Sequence, residues 1–141
     1  MKRRNVLLAA LLTMLCLLCG LTACKSGTGS ARVLDSDEKT LVLYVDEAKG
    51  NVTLLSLMED LKEAEQLDFK MSGTMVTAIN GVENTADFSG CWMLYTTDVE
   101  MANNAWGTIS YNGKTLGSAI VGADSLLVTA GELYVWSYQS F

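Results

Sequence analysis

The chain has 141 residues, of which 50% are apolar, and it carries 10 basic and 16 acidic residues for a formal charge of −6. It contains no histidine and no proline, and it has four cysteines. The lack of histidine excludes Ser-His-Asp and Cys-His catalytic groups and every histidine-ligated metal site. The acidic balance argues against a nucleic-acid partner, which needs a basic surface. The length allows one domain, with or without a tail.

The first segment has the pattern of an export signal. Residues 2–4 are basic, and the apolar run over residues 6–19 is shorter than the ~20 residues that a helix needs to cross a bilayer. Residues 21–24 (Leu-Thr-Ala-Cys) resemble the bacterial lipobox. The resemblance implies a signal peptide over residues 1–23 and a diacylglycerol on Cys24, which would anchor an extracytoplasmic protein to the cell membrane. The alternatives are an uncleaved anchor helix and an ordinary signal peptide with a chance cysteine.

Residues 24–38 are predicted to be a flexible tether, because they begin with small and polar side chains and contain little that a core would bury. Once the signal is removed and Cys24 is lipidated, Cys91 is the only cysteine left, so no internal disulfide is expected. Cys91 lies in an apolar stretch and is interpreted as a buried, inert thiol. The folded domain is therefore predicted over residues 39–141, stabilised by its core.

The folded part begins with a strand and a helix. Residues 40–45 are rich in β-branched side chains, as strands are. Thr53 or Ser56 is predicted to cap the helix that follows. Its apolar residues recur at helical spacing, and they are Leu54, Leu57, Met58, Leu61 and Ala64.

The rest of the chain is predicted to consist of strands and tight turns. Asn80-Gly81 and Asn112-Gly113 are strong turn signals, because both central positions of a type I′ turn need positive φ. Residues 101–107 are interpreted as an excursion between two strands. The predicted fold class is α+β, with one helix packed on a mostly antiparallel sheet in a β-grasp-like arrangement, after the N-terminal signal and lipidation segment.

Nothing in the sequence predicts catalysis or a metal site. The aromatic side chains are the candidate ligand-binding residues, because tryptophan and tyrosine combine an apolar body with a hydrogen-bonding tip. Trp92 and Trp136 lie in the middle of predicted strands, where a role in the core is the favoured alternative. Trp106 lies in the polar excursion and needs a partner or a ligand to explain it. The full candidate set is Trp92, Tyr95, Trp106, Tyr111 and Trp136.

Five short segments follow one another in an order typical of a known family. They are residues 54–62 (LLSLMEDLK), 79–82 (INGV), 91–95 (CWMLY), 112–113 (NG) and 135–138 (VWSY). Together they resemble the transcobalamin-like C-terminal domain of secreted and lipid-anchored bacterial proteins, over roughly residues 39–141. This chain differs from that family by the insertion of residues 97–107 and by Gly131-Glu132 where Gly-Asp is usual.

The resemblance implies a binding function. In vitamin carriers of this kind the domain covers one face of cobalamin, while a larger helical domain covers the other. We expect this chain alone to bind a corrinoid weakly, or to bind it with a partner such as an envelope protein or a transporter. Cobalamin is thus a candidate ligand, no cofactor is expected, and no histidine is present to ligate cobalt. The alternative is a cell-surface module that binds a protein or a glycan and no small molecule.

Overall fold

The computed structural model describes residues 27–141. The predicted signal peptide and the lipidation site at Cys24 lie outside the described residues. Strands account for 57% of the described part of the chain and helix for 9%. In chain order, the elements are β1 (Gly27–Ser36), β2 (Thr40–Gly50), α1 (Leu54–Glu63), β3 (Phe69–Ser72), β4 (Met75–Ile79), β5 (Val82–Glu83), β6 (Gly90–Thr96), β7 (Ala102–Tyr111), β8 (Lys114–Ala119) and β9 (Leu133–Ser140).

The strands form two antiparallel sheets. The larger sheet has six strands in the order β1-β2-β9-β6-β8-β7, and the smaller has three in the order β3-β4-β5. The predicted α+β, β-grasp-like class is therefore wrong. The architecture is closer to all-β, with one short helix. Two stretches that the sequence analysis left outside the sheets, residues 27–36 and 101–107, account for much of the difference.

The first of these stretches is the predicted tether. Residues 27–36 form β1, which pairs with β2 from Gly27 opposite Gly50 to Ser36 opposite Leu41. The tether prediction is wrong for these residues. A Cβ atom on Gly27 would lie 2.8 Å from the carbonyl oxygen of Lys49, so small residues permit this close pairing. The polar segment is ordered because the edge of β2 offers it backbone hydrogen bonds.

The second stretch is the predicted excursion, which belongs largely to β7. The pairing of β7 with β8 runs from Tyr111 to Thr108, breaks, and resumes at Asn103. Since Thr108 and Asn103 pair with adjacent residues of β8, residues 104–107 bulge out of the ladder. We call residues 104–107 the β7 bulge.

The helix forms as its periodicity predicts. Of the two candidate caps, Thr53 is the one used, and its hydroxyl accepts a hydrogen bond from the backbone N–H of Ser56 at 3.3 Å. The apolar residues predicted for one side of α1 are buried, except Ala64, which is exposed at the C-terminal cap. The buried residues are Leu54, Leu57, Met58 and Leu61.

The six-stranded sheet has two different faces. One face packs with α1, the smaller sheet and residues 120–128 in one large core, and we call it the covered face. Leu43 of β2 and its partner Tyr134 of β9 lie on it. The neighbouring positions Val42 and Val135 point to the other side, which we call the opposite face, and belong to a separate smaller cluster.

Candidate functional site

The candidate site is a cavity of about 310 Å³ on the covered face. It lies where the middle of the larger sheet meets the turn between β3 and β4 and the loop that follows β8. The residues that line it are Thr74, Met75, Val76, Trp92, Met93, Leu94, Ser118, Ala119, Ile120, Val121, Gly122, Ala123 and Trp136.

Two central strands supply the floor of this cavity. Trp92 and Leu94 lie two residues apart on β6, so both side chains point to the covered face. Trp136 of β9 lies directly opposite Leu94 in the antiparallel pairing. Both tryptophans are about 5% exposed. The alternation of β6 and β9 thus brings two indoles together at one site.

The loop of residues 120–123 forms one wall and is held by the helix. The first N–H groups of a helix have no partner within it, so they need acceptors elsewhere. The N–H of Leu55 donates to the carbonyl oxygen of Ala123, and that of Leu54 to the carbonyl oxygen of Leu126, both at 2.9 Å. At the start of the loop, the N–H of Ile120 donates to Met101 at 3.0 Å. The wall is therefore fixed at both ends.

The rim of the cavity is apolar and exposed. Met75, Ile120 and Val121 are 43%, 40% and 40% exposed. None of the residues that line the cavity is charged, and Thr74 and Ser118 are the hydroxyl-bearing residues among them. A wall without charged side chains favours an uncharged ligand group, because a buried charge would lose hydration without gaining a counter-ion.

The two indoles of the floor differ in their hydrogen bonds. The Nε1–H of Trp92 donates to the carbonyl oxygen of Val82 at 2.8 Å, and its ring meets the ring of Tyr138 edge to face at 5.5 Å. The Nε1 atom of Trp136 is buried and has no hydrogen-bond partner among the described residues. Trp92 is thus tied into the fold, whereas Trp136 retains an unused donor.

The structure does not bring the five predicted ligand-binding residues together. Trp92 and Trp136 share the cavity, but Tyr95 and Tyr111 belong to the cluster on the opposite face. Trp106 lies in the β7 bulge and is 63% exposed.

Sequence reasoning missed the residues of the rim. Ile120 and Val121 are two adjacent apolar residues in a segment that reads as a loop, and Met75 follows directly after a turn. Large apolar side chains at such positions are a usable signal for a binding surface, because loops of this kind are otherwise polar.

A second cavity, also of about 310 Å³, lies beside the β7 bulge. Its lining is richer in hydroxyl and amide groups and includes Thr96, Thr97, Asn103, Asn104 and Thr115. Neither Tyr95 nor Trp106 lines it. The hydroxyl of Thr97 donates to the carboxylate of Glu132 and accepts the N–H of Leu133 at 2.9 Å, so this hydroxyl is engaged within the fold.

Tyr95 lies in the cluster of the opposite face. Burial raises the pKa of Tyr95, and the nearby Cys91 thiol raises it further, so the phenol stays neutral. Cys91 is half-buried and is the free cysteine of the described part of the chain.

Within residues 27–141, no cluster of three or more Cys, Asp or Glu residues is arranged to hold a metal ion. No helix in this range has the length and apolarity to cross a membrane.

Comparisons with protein-family models, with curated proteins and with solved structures find no match to this chain.

Proposed function

We propose that this protein is an extracytoplasmic, lipid-anchored binding module that holds an uncharged, apolar part of a small molecule in the open cavity of the covered face. The observation that carries the proposal is the cavity itself. It combines a floor of two buried indoles with an exposed apolar rim and no charged side chain in its lining. Such a concave, mostly apolar site with a few polar groups is the usual form of a small-molecule site. We propose binding without catalysis, because the residues that line this cavity include no His, Asp, Glu, Lys, Tyr or Cys that could act as a general acid or base.

The size of the cavity limits what it encloses. At about 310 Å³ it lies at the lower end of the roughly 300–1,000 Å³ typical of ligand pockets. It would enclose one ring or one side group of a larger molecule. A corrinoid, the ligand implied by the transcobalamin-like resemblance, would therefore be held in part, with the rest covered by an envelope protein or a transporter.

A titration with cobalamin and with cobinamide tests this proposal. We expect the visible spectrum of the corrinoid and the tryptophan fluorescence of the protein to change together, with weak affinity. Ile120→Asp places a charge on the apolar rim and should weaken binding at least tenfold. Val99→Asp is the matched control, because Val99 is 81% exposed and does not line this cavity. Equal binding by both variants would show that the cavity is not the site.

The membrane anchor is a separate part of the proposal and rests on the sequence. The basic start, the short apolar run and the lipobox-like residues 21–24 support lipidation at Cys24. Cys24→Ser removes the thiol that would carry the lipid. We expect this variant to keep its signal peptide and to lose the lipid, which labelling with a radioactive fatty acid would show. Unchanged labelling and unchanged processing would contradict the anchor.

A second candidate function is glycan binding at the β7 bulge. The observation that favours it is Trp106, a large apolar ring that is 63% exposed beside a cavity lined by hydroxyl and amide groups. Flat aromatic faces next to amide groups suit the apolar faces and hydroxyls of a sugar ring. Retention of the protein on cell-wall polysaccharide should fall with Trp106→Ala and persist with Ile120→Asp. If Trp106→Ala still binds the polysaccharide but no longer retains a protein in a pull-down from envelope extract, the bulge binds a protein and not a glycan.

A further inference from the structure

The first strand leaves very little chain between the folded domain and the predicted lipidation site. β1 is paired with β2 from its first residue, where Gly27 lies opposite Gly50. Lys25 and Ser26 are the residues that separate Gly27 from Cys24. Since a fully extended chain spans at most about 3.6 Å per residue, Gly27 lies within about 11 Å of Cys24. The folded domain therefore begins almost at its predicted anchor.

The surface around Gly27 is formed by segments that are far apart in sequence. A Cβ atom on Gly27 would lie 2.8 Å from the carbonyl oxygen of Lys49 and 2.8 Å from a methyl group of Val52. The N–H of Val128 donates to the carbonyl oxygen of Val52 at 3.0 Å, so the neighbouring Leu127 belongs to the same end of the domain. The side chain of Leu127 is large, apolar and 39% exposed. We call Gly27, Lys49 and Leu127 the anchor end.

We infer that the anchor end lies against the lipid headgroups, so that the domain sits directly on the membrane surface and does not stand away from it. This inference rests on the lipid anchor of the proposed function and adds which surface meets the bilayer. A lipid on Cys24 holds that residue at the bilayer surface, and the short chain holds Gly27 within about 11 Å of it. Leu127 gives this end an apolar side chain that can bury its exposed part among the headgroups.

The other end of β1 supplies a matched reference. Leu34 is 45% exposed and lies near the end of this strand, which runs from Gly27 to Ser36. A strand rises about 3.3 Å per residue, which places Leu34 roughly 20 Å from Gly27. Leu34 and Leu127 are therefore similarly exposed leucines that differ in their distance from the start of β1.

Paramagnetic broadening of methyl signals tests the inference on the lipidated protein. The protein is isolated from the membrane fraction and held in phosphatidylcholine nanodiscs in which some headgroups carry a nitroxide spin label. Mass spectrometry checks for the lipid on Cys24, and the variants Leu127→Ile and Leu34→Ile assign the two sets of leucine signals. We expect the spin label to leave the Leu127 signals at least threefold weaker than those of Leu34, because the broadening falls steeply with distance.

The lipid and the broadening separate the two proposals. If mass spectrometry finds no lipid on Cys24, the anchor of the proposed function fails and this inference fails with it. If the lipid is present and the spin label broadens both leucines equally, or broadens neither, the anchor stands and the inference is overturned.

A longer chain between the anchor and the domain is the matched control. Insertion of about 20 glycine and serine residues before Gly27 leaves Cys24 and the domain unchanged and adds a mean reach of about 25 Å. We expect the broadening of Leu127 to fall to the level of Leu34 in this variant. Broadening of Leu127 that persists in full would contradict the argument from chain length and would overturn the inference.

Discussion

The two faces of the six-stranded sheet are built by the same strands but are buried in different ways. On the covered face, Leu43 and Tyr134 pack in one cluster with the helix and the smaller sheet. On the opposite face, Val42 and Val135 are just as inaccessible, yet every residue of their cluster comes from the sheet itself.

This difference explains why the cavity lies on the covered face. Where separate elements pack over a sheet, their side chains need not fill all the space between them. Here the space between the β3–β4 turn and the loop after β8 is left open, and it forms the candidate cavity. On the opposite face neighbouring strands bury one another, and the half-buried side chains form its margin. They are Tyr44, Met93, Ile109 and Tyr111. The candidate cavity thus arises where other elements cover the sheet.

The largest loss of stability is expected from a substitution in α1, the helix that covers the sheet. Leu57 is 1% exposed and packs in the large cluster. Leu57→Ala should lower the free energy of unfolding by about 2–5 kcal/mol, because it removes buried methyl groups and leaves a cavity. Urea denaturation followed by circular dichroism measures it, with the half-buried Leu55→Ala as the control. A loss no greater than that of Leu55→Ala would mean that the helix is not an essential cover.

A smaller effect is expected on the margin of the opposite face. Ile109 is half-buried and pairs with Leu116 across β7 and β8. Ile109→Ala should cost about 1 kcal/mol of unfolding free energy, because much of the side chain already meets water. The same urea experiment measures it. A loss as large as that of Leu57→Ala would show that this face is covered in solution by something beyond its own strands.

A still smaller effect is expected at Arg32, on the edge strand of the opposite face. Its guanidinium lies 4.9 Å from the centre of the Tyr44 ring and 3.1 Å from the carboxylate of Asp46. Arg32→Ala should cost about 0.5–1 kcal/mol, less at high salt, because exposed pairs are screened. Lys70→Ala is the control, since Lys70 pairs with Glu83 at 2.7 Å at a similarly exposed site. Equal losses in the two variants would argue against a contribution from the Tyr44 ring.

The last effect is seen only in acid and concerns the turn that leads into β6, the strand shared by both faces. Hydrogen bonds from the backbone N–H and the hydroxyl of Ser89, and then from Thr85, lower the pKa of Asp87 from 3.8 to about 2. Since the folded pKa is lowered, the stabilisation is complete above pH 4 and is lost as the pH falls towards 2. A carbon-13 titration of the carboxyl group measures it. Asp87→Asn should remove this step from the pH profile of stability, and a titration near pH 4 would contradict the assignment.

Local signals in the sequence predicted several elements well. The helical spacing of Leu54 and Leu57 and the cap at Thr53 are confirmed. Asn80-Gly81 and Asn112-Gly113 both have positive φ at each position, as the predicted turns require. These features depend on neighbours within a few residues, so sequence patterns report them directly.

The predictions that were wrong concern pairing between distant segments. Residues 27–36 look like a tether because their composition is polar and rich in glycine, and they become β1 only because β2 has a free edge. The β7 bulge contains an asparagine and a glycine, and the residues on either side of it belong to a strand because they pair with β8. The additional strand β1, and a β7 that begins at Ala102 rather than after the predicted excursion, contribute to the mostly β architecture.

By itself, the sequence determined the helix and the two Asn-Gly turns, and it placed Trp92 and Trp136 among five candidate ligand-binding residues. Only the tertiary structure decided that these two indoles share a cavity and that Tyr95 and Tyr111 lie on the other side of the same sheet. It also decided that one indole N–H is paired and the other is not. The physical reason is that turns and helices arise from contacts close in sequence, whereas strand order and the acceptor that faces a buried donor depend on residues far apart in the chain.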